Sequence, residues 1–298
     1  MNGALHNPVV LLLATGSLVG LYFPLGKLAY ESGISPMAWA MVVSLGASVL
    51  LMPILAFKRQ LAFPRGRMLR YVIISGLISF VLPNLLLFSV IPYVGSGYTG
   101  LMFALSPVFT LFLALMFQLK GPKMLGIIGI AVGLIGAALV AITRSTDPEA
   151  PSMAWIIAAL LIPMVLACGN VYRTIDWPDN ACPDRLAFWS HSFSIAVFLL
   201  LLFMTYGWVQ PLGELIASPW LTFAQALAAG IAFPIYFRLQ RYGGPVLLSQ
   251  VGYIAAAIGL IVATVFLEER YSFMTWIGAG VIVVGIAATI RSQVLDGK

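Results

Sequence analysis

Continuous apolar runs, rather than alternating apolar and polar positions, dominate this sequence. Runs of about twenty apolar residues recur between short polar segments, and a helix of that length crosses the ~30 Å hydrocarbon core of a membrane. Strands of a membrane β-barrel instead alternate over about ten positions. The runs cover residues 8–30, 36–57, 69–91, 97–119, 123–143, 153–173, 186–206, 220–238, 245–267 and 272–291. The pattern therefore predicts an all-α polytopic membrane protein with ten transmembrane helices.

A polar stretch at residues 144–152 divides the runs into two sets of five. Because five is odd, the second set begins on the opposite membrane face, and two related halves would form an inverted repeat. Sliding the halves by about 149 residues aligns Phe88–Gly95 with Phe237–Gly244. We therefore predict two domains, residues 1–147 and 148–298, each of them one five-helix repeat.

Charged residues are too sparse for a water-soluble protein. Hydrophobic residues make up 61% of the 298 residues and charged residues only 9%, with a mean hydropathy of +1.01. A soluble domain carries about 25% charged residues. The net charge of +6 does not indicate nucleic acid, because so few charges cannot follow a phosphate backbone. We predict membrane lipid, and no nucleic acid, as a partner.

Lysines and arginines fall mainly on one predicted side of the membrane, and in short loops they accumulate on the cytoplasmic side. With ten spans, the side of the N-terminus carries Lys58, Arg59, Arg65, Arg67, Arg70, Lys120, Lys123, Arg173, Arg185, Arg238, Arg241, Arg291 and Lys298, and the opposite side carries Lys27, Arg144 and Arg270. This asymmetry predicts a multi-pass protein of the bacterial inner membrane with both termini in the cytoplasm. Met1–Asn7 lacks the basic residues of a signal peptide, so we expect the first span to be retained.

Motifs of enzymes and metal sites are missing from the sequence. It contains no H-E-x-x-H, no G-x-S-x-G and no P-loop, and His6 and His191 are far apart. Cys168 and Cys182 have neither metal-ligand spacing nor the pattern of a disulfide framework. We predict that the protein is not an enzyme and holds no metal or cofactor.

Acidic residues avoid the middle of the apolar runs. The ten carboxylates lie at run ends, in loops or in the tail: Glu31, Asp147, Glu149, Asp176, Asp179, Asp184, Glu214, Glu268, Glu269 and Asp296. Proton or sodium relays usually need a carboxylate buried in the bundle, so we predict a facilitator without a carboxylate relay. His191 is the one side chain inside a run whose residue type has an ordinary pKa near neutrality. A hydrogen-bonded structural histidine is the favoured interpretation, and a functional one is the alternative.

Polar and aromatic side chains inside the runs are the candidates for a substrate site, because such groups face a cavity or another helix rather than lipid. We select Tyr22, Lys27, Asn84, Phe88, Tyr98, Met102, Asn170, His191, Gln225, Tyr236, Gln250 and Tyr253. Helix packing is the alternative for each. Asn84 follows Pro83, where a kink places an amide donor and acceptor beside freed backbone groups. Lys27 either pairs with Glu31 four residues later or faces a vestibule and attracts a carboxylate.

Small residues mark the last run of each half. Gly129 and Gly133 lie in the fifth run, and Gly278, Gly280 and Gly285 lie in the tenth. Such spacings allow close helix contacts. We interpret these helices as scaffold or dimer contacts outside the pathway, in a monomer or a homodimer.

Two motifs in this pattern are typical of one family. The segment L-S-P-V-F-T-L-F-L-A-L at Leu105–Leu115, and F-L-E-E-R at Phe266–Arg270 before a glycine-rich last run, resemble the EamA family of the drug/metabolite transporter superfamily. Within it the chain is most similar to bacterial aromatic amino acid exporters of the YddG type. The resemblance implies export of small molecules, namely aromatic and other neutral amino acids and amphipathic xenobiotics, by alternating access. The competing hypothesis is a non-transporting membrane scaffold or lipid-binding protein.

Overall fold

The computed structural model describes residues 7–119, 121–145, 151–207 and 209–296, and these residues form helices and no β-strand. The helices are α1 (Pro8–Gly20), α2 (Tyr22–Glu31), α3 (Pro36–Phe57), α4 (Arg67–Ser75), α5 (Leu82–Val94), α6 (Ser96–Phe103), α7 (Ser106–Met116), α8 (Met124–Ser145), α9 (Met153–Ile175), α10 (Pro183–Tyr206), α11 (Val209–Ala217), α12 (Pro219–Ser249), α13 (Val251–Phe266) and α14 (Phe273–Asp296). A π-helical segment, Gly76–Val81, joins α4 to α5. The N-terminal segment before Asn7, most of the stretch 144–152, Lys120 and Lys298 lie outside the described residues.

Most of these helices have the length and composition of membrane spans. Eight helical segments qualify: Pro8–Glu31, Pro36–Phe57, Arg67–Val94, Ser96–Met116, Met153–Ile175, Pro183–Tyr206, Pro219–Ser249 and Phe273–Ser292. Two shorter apolar helices, Met124–Leu139 and Val251–Phe266, lie where the fifth and ninth spans are predicted. The chain is therefore a multi-pass helical membrane protein.

Prolines interrupt several spans. Pro24 follows the break between α1 and α2 at Leu21, and Pro107 follows the break between α6 and α7 at Ala104 and Leu105. Pro83 has no N–H, and its ring excludes the carbonyl of the residue four positions earlier, so the backbone ahead of it widens into the π segment.

Two glycines turn the chain in the same unusual way. Gly95, between α5 and α6, has φ 87° and ψ 158°, and Gly244, within α12, has φ 71° and ψ −177°. Side chains rarely tolerate this combination, so both turns need glycine. The two residues are aligned by the same 149-residue offset that relates the halves in sequence.

Helices of the first half (α1–α8) pack against helices of the second half (α9–α14), and the contacts recur when the halves are exchanged. α1 packs on α12 and α13, while α9 packs on α5, α6 and α7. α3 packs on α12, while α10 packs on α4 and the π segment. Three further pairs, α3 with α10, α6 with α13 and α8 with α14, join counterparts. The halves therefore interlock along a shared interface, and the division at residue 147 stays a prediction.

Glycines allow α8 and α14 to pack closely. A Cβ atom added at Gly129 would lie 2.7 Å from the carbonyl oxygen of Gly285, and one added at Gly136 would lie 2.6 Å from that of Gly278. Real Cβ atoms do not come this close, so alanine at either position would push the helices apart. The predicted small-residue faces thus meet each other within one chain.

Candidate functional site

Buried charged groups lie at the two ends of the bundle. The span Arg67–Val94 connects these ends: Arg70 lies near its start, beside the end of α9, and the Gly95 turn follows its last residue, beside α2. We call the first the Arg173 end and the second the Lys27 end, after the cation that each encloses.

Arg173 lies two residues before the end of α9 and is 1% exposed. Its Nε donates to Gln240 Oε1 at 3.0 Å, and its Nη2 donates to Asn170 Oδ1 at 2.8 Å and to Tyr236 Oη at 2.7 Å. Gln240 Nε2 in turn donates to the Asn170 carbonyl and to Thr174 Oγ1. Neutral side chains of α9 and α12 therefore hold the guanidinium.

Three aromatic rings surround the same guanidinium. Its carbon lies 5.5 Å from the centre of the Phe80 ring, 5.1 Å from that of Tyr236 and 5.9 Å from that of Phe237. The negative face of an aromatic ring attracts a cation at such distances. These contacts offset part of the cost of burying a charge, which would otherwise be severe.

His191 lies within α10, and its ring packs against that of Phe80. Its ring centre is 4.1 Å from that of Phe80 and 4.0 Å from that of Phe233. Nδ1 is 3.1 Å from Ser44 Oγ, whereas Nε2 is buried without a hydrogen-bond partner. The residue thus has the structural hydrogen bond that was favoured, together with one unused ring nitrogen.

The π segment presents Phe80 to both groups. Asn84 Nδ2 donates to the Phe80 carbonyl at 2.8 Å, and Ser194 Oγ donates to the carbonyl of Gly76, the first residue of the segment. Backbone carbonyls that lack a regular helical partner are satisfied by such side chains. The Asn84 amide, predicted to bind substrate, therefore has a backbone partner for its donor.

Ion pairs surround Arg173 at its end of the bundle. Asp176, just after α9, accepts from Arg67, Arg70 and Tyr172. Burial favours a raised pKa for Asp176, but these hydrogen bonds outweigh it and hold the pKa below its ordinary value. In α10, Asp184 accepts from Arg238 at 2.8 Å and lies 3.8 Å from Lys58 Nζ.

The Lys27 end contains a cation with an acidic partner. Lys27 Nζ donates to Glu269 Oε1 at 2.8 Å, and Ser96 Oγ donates to the same oxygen at 2.7 Å. Tyr271 donates to Glu269 Oε2, and the backbone N–H groups of Ser96 and Gly97 also point to this carboxylate. We call Lys27, Ser96, Glu269 and Tyr271 the Lys27 latch.

The latch keeps Glu269 charged. Burial favours a raised pKa, but hydrogen bonds from Lys27, Tyr271 and Ser96 outweigh it and hold the pKa of Glu269 below its ordinary value. A cavity of about 370 Å³ adjoins the latch, lined by Lys27, Tyr30, Glu31, Ile91, Pro92, Tyr93, Val94, Gly95, Glu269, Arg270 and Tyr271.

Three of the predicted substrate-site residues come together. Asn170 and Tyr236 bind Arg173, and His191 joins them through the shared Phe80 ring. Lys27 lies at the opposite end, where its Glu269 contact is much shorter than its 3.9 Å contact with Glu31.

The other predicted residues lie elsewhere in the bundle. The Phe88 ring packs where Gly26 leaves room for it, and Tyr253 Oη donates to the Ile130 carbonyl. Tyr98 and Met102 are buried in α6. Polar side-chain atoms are buried without partners in Tyr22, Gln225 and Gln250. Substrate binding by these residues stays a prediction.

Sequence reasoning missed the central residue of this site. Arg173 was counted only among the basic residues of the cytoplasmic side and was not selected for the site, although α9 continues to Ile175 and buries its side chain. Its spacing from Asn170, three residues earlier, placed both on one helix face and was the available signal. Gln240 and Glu269 were missed as partners because each bond joins distant parts of the chain.

Comparison with known proteins identifies the fold. The model of the EamA-like transporter family matches residues 7–142 and 153–291, nearly the whole chain in two segments. The chain belongs to the EamA-like transporter family. As an EamA protein it is a member of the drug/metabolite transporter superfamily, whose proteins are membrane transporters rather than enzymes.

A solved crystal structure shares the fold of this EamA protein. The two have a TM-score of 0.67 and 18% sequence identity, and the match covers 95% of this chain and 98% of the other. No curated protein matches the sequence significantly. Within the described residues, no three His, Cys, Asp or Glu side chains are grouped as a metal would require.

Proposed function

We propose that this EamA protein exports aromatic and other neutral amino acids across the bacterial inner membrane by alternating access. The family supports transport, and the finer statements are the proposal. The single observation that carries the substrate class is the site around Arg173, which combines a buried cation with aromatic rings between the two halves.

The orientation follows from the charges at the Arg173 end. Arg67, Arg70, Arg238 and Lys58 all lie there. Basic residues accumulate on the cytoplasmic side of membrane proteins. With ten spans, in which α8 and α13 also cross, we assign the Arg173 end and both termini to the cytoplasm and the Lys27 end to the exterior.

Two separate closures support alternating access. Ion pairs of Asp176 and Asp184 connect the spans at the Arg173 end, and the Lys27 latch connects them at the other. Because the halves interlock with matching contacts, one closure can loosen while the other stays formed. A substrate held between them then reaches one side at a time.

We further propose a facilitator. Among the described residues, the buried carboxylates Asp176 and Asp184 lie at the Arg173 end, where they have basic partners. None therefore stands alone in mid-bundle as a proton carrier would.

Counterflow in proteoliposomes tests the function. Vesicles containing the purified protein and loaded with unlabelled phenylalanine should take up labelled phenylalanine transiently and saturably, and protein-free vesicles should not. A membrane scaffold or lipid-binding protein would give no saturable flux. Uphill accumulation driven by an imposed pH gradient would overturn the facilitator.

A further inference from the structure

We infer that Arg173 is the binding group for the carboxylate of the substrate, which approaches it from the cytoplasm beside Tyr236 and Asn170. This inference rests on the proposed function and deepens it, because it names the chemical class that the site requires. The ligand is a small monocarboxylate with an apolar or aromatic body.

The first argument is charge. Arg173 is bonded to Gln240, Asn170 and Tyr236, all of them neutral. The acidic residues nearby already have basic partners: Asp176 binds Arg67 and Arg70, and Asp184 binds Arg238. A buried cation without an acidic partner is expensive and is typical of a site that an anion completes.

The second argument is hydrogen-bonding capacity. A guanidinium carries five N–H donors in a fork that matches a carboxylate. The bonds in the structure use Nε and Nη2, and within the described ranges no residue accepts a bond from Nη1. A ligand carboxylate can bind Nη1 directly and take over Nη2 from Tyr236, whose hydroxyl already lies 3.1 Å from Asn170 Oδ1.

The third argument is the surface beside the cation. Phe80, Tyr236 and Phe237 all face the guanidinium. His191 Nε2, a fully buried atom without a partner, lies in the ring that packs on Phe80. Buried polar atoms are normally paired, so this nitrogen independently points to a ligand that carries a further polar group beside the rings.

Binding measurements on the purified full-length protein test the inference. L-phenylalanine, 3-phenylpropionate and phenylalaninol, in which an alcohol replaces the carboxylate, compete with labelled phenylalanine. We expect the first two to bind more tightly than the alcohol. Arg173→Gln should weaken both carboxylates by roughly ten- to a hundred-fold, the ratio expected for a lost charged hydrogen bond, and should leave the alcohol nearly unchanged.

Arg241→Gln is the matched control. Arg241 lies at the same end, is exposed and stacks on Trp177, so its loss should not change the preference for carboxylates. If Arg173→Gln weakens the binding of the two carboxylates and the alcohol equally, Arg173 only holds α9 and α12 together, and the inference is overturned. An unchanged preference for carboxylates over the alcohol would also overturn it. If Arg173→Gln does not fold, Arg173→Lys is the deciding variant, because lysine keeps the positive charge but lacks the paired N–H groups of the guanidinium. A reduced preference for carboxylates over the alcohol supports the inference, and an unreduced preference overturns it.

The two proposals fail differently. Binding of 3-phenylpropionate that depends on Arg173, without counterflow, would retain the carboxylate site and remove the exporter. Saturable phenylalanine counterflow that shows no carboxylate preference would retain the exporter and remove the site.

Discussion

Each half of the bundle places a cation near the end of its first span, and the two cations have opposite surroundings. Lys27, four residues before the end of α2, binds Glu269, which comes from the other half. Arg173, two residues before the end of α9, binds neutral groups and aromatic rings. The lysine side chain is 26% exposed, yet it has the acidic partner, whereas the arginine is 1% exposed and has none.

The cost of removing a charge from water would favour an acidic partner for Arg173 rather than for Lys27, because the more deeply buried cation has the greater need of a counter-ion. The difference indicates two roles. Lys27, which Glu269 neutralises, would hold its end of the bundle closed. Arg173, which has no acidic partner in the protein, would be free to bind the anionic group of a ligand. Four changes test this comparison.

Supplying Arg173 with an acid should have the largest effect. Gln240→Glu places a carboxylate where Gln240 Oε1 now accepts from Arg173 Nε. The arginine would then resemble Lys27, and we expect phenylalanine to bind about a hundred-fold more weakly because an internal carboxylate at Nε neutralises the guanidinium and repels the ligand carboxylate. Competition binding measures this.

Gln60→Glu is the control for that change. Gln60 is exposed in the loop between α3 and α4, so the variant adds the same charge outside the site. An unaltered affinity in Gln240→Glu would contradict the comparison.

Removing the acid from the latch should have the next largest effect. Glu269→Gln weakens the bonds from Lys27, Ser96 and Tyr271. A cysteine at Ile91, a buried residue lining the adjacent cavity, should then react about ten-fold faster with an impermeant maleimide, because charged hydrogen bonds are lost. Cys168 and Cys182 are replaced by serine in this background.

The exposed neighbour Glu268 provides the comparison variant. Glu268→Gln should leave the labelling of the cysteine at position 91 at the original rate. Equal acceleration by both substitutions would show that general charge, and not the latch, controls access.

The Lys27 latch should open only at a lower pH than it would if Glu269 had the ordinary pKa of a glutamate. Because the pKa of Glu269 is held below its ordinary value, the latch is complete above that value and is lost only as the pH falls through the lower pKa. The labelling rate, measured relative to an exposed reference cysteine, should therefore stay nearly constant from about pH 7.5 to about pH 4.5, the ordinary pKa of a glutamate. A rise within that range would mean that Glu269 protonates more easily than its partners imply.

The smallest effect is expected from Glu31→Gln. Glu31 lies 3.9 Å from Lys27 and its side chain is 54% exposed, and exposed pairs contribute about 0–1 kcal/mol. Labelling at position 91 should change less than about two-fold in rate. An effect as large as that of Glu269→Gln would restore the local pair as the main partner of Lys27.

The sequence was sufficient to predict eight of the ten spans as the structure has them, and the interruption at Pro83. Apolar runs indicate the helices because lipid imposes the same requirement on every residue of a span. Pro83 indicates a local interruption because proline removes a backbone hydrogen-bond donor and its ring crowds the preceding turn. Both features depend only on neighbouring residues.

The site was harder to predict from the sequence because its contacts join residues that are far apart in the chain. The Lys27 bond to Glu269 spans 242 residues and the Arg173 bond to Gln240 spans 67. Arg173 was not selected for the site because an arginine at the edge of an apolar run is as typical of an exposed charge as of a buried one. Only folding distinguishes a solvated arginine from one enclosed by Phe80, Tyr236 and Phe237.

The position of Glu269 has a consequence for the direction of flow. Its carboxylate occupies the one place at the Lys27 end where a lysine and the N–H groups of Ser96 and Gly97 converge. A tethered group acts as if present at millimolar concentration or more. In the proposed orientation, an amino acid outside the cell has to outcompete an anion that cannot diffuse away, whereas one that reaches Arg173 has no such competitor. On the proposed function, the latch lowers the affinity of the Lys27 end for external substrate, a kinetic asymmetry that leaves the equilibrium distribution of the substrate unchanged.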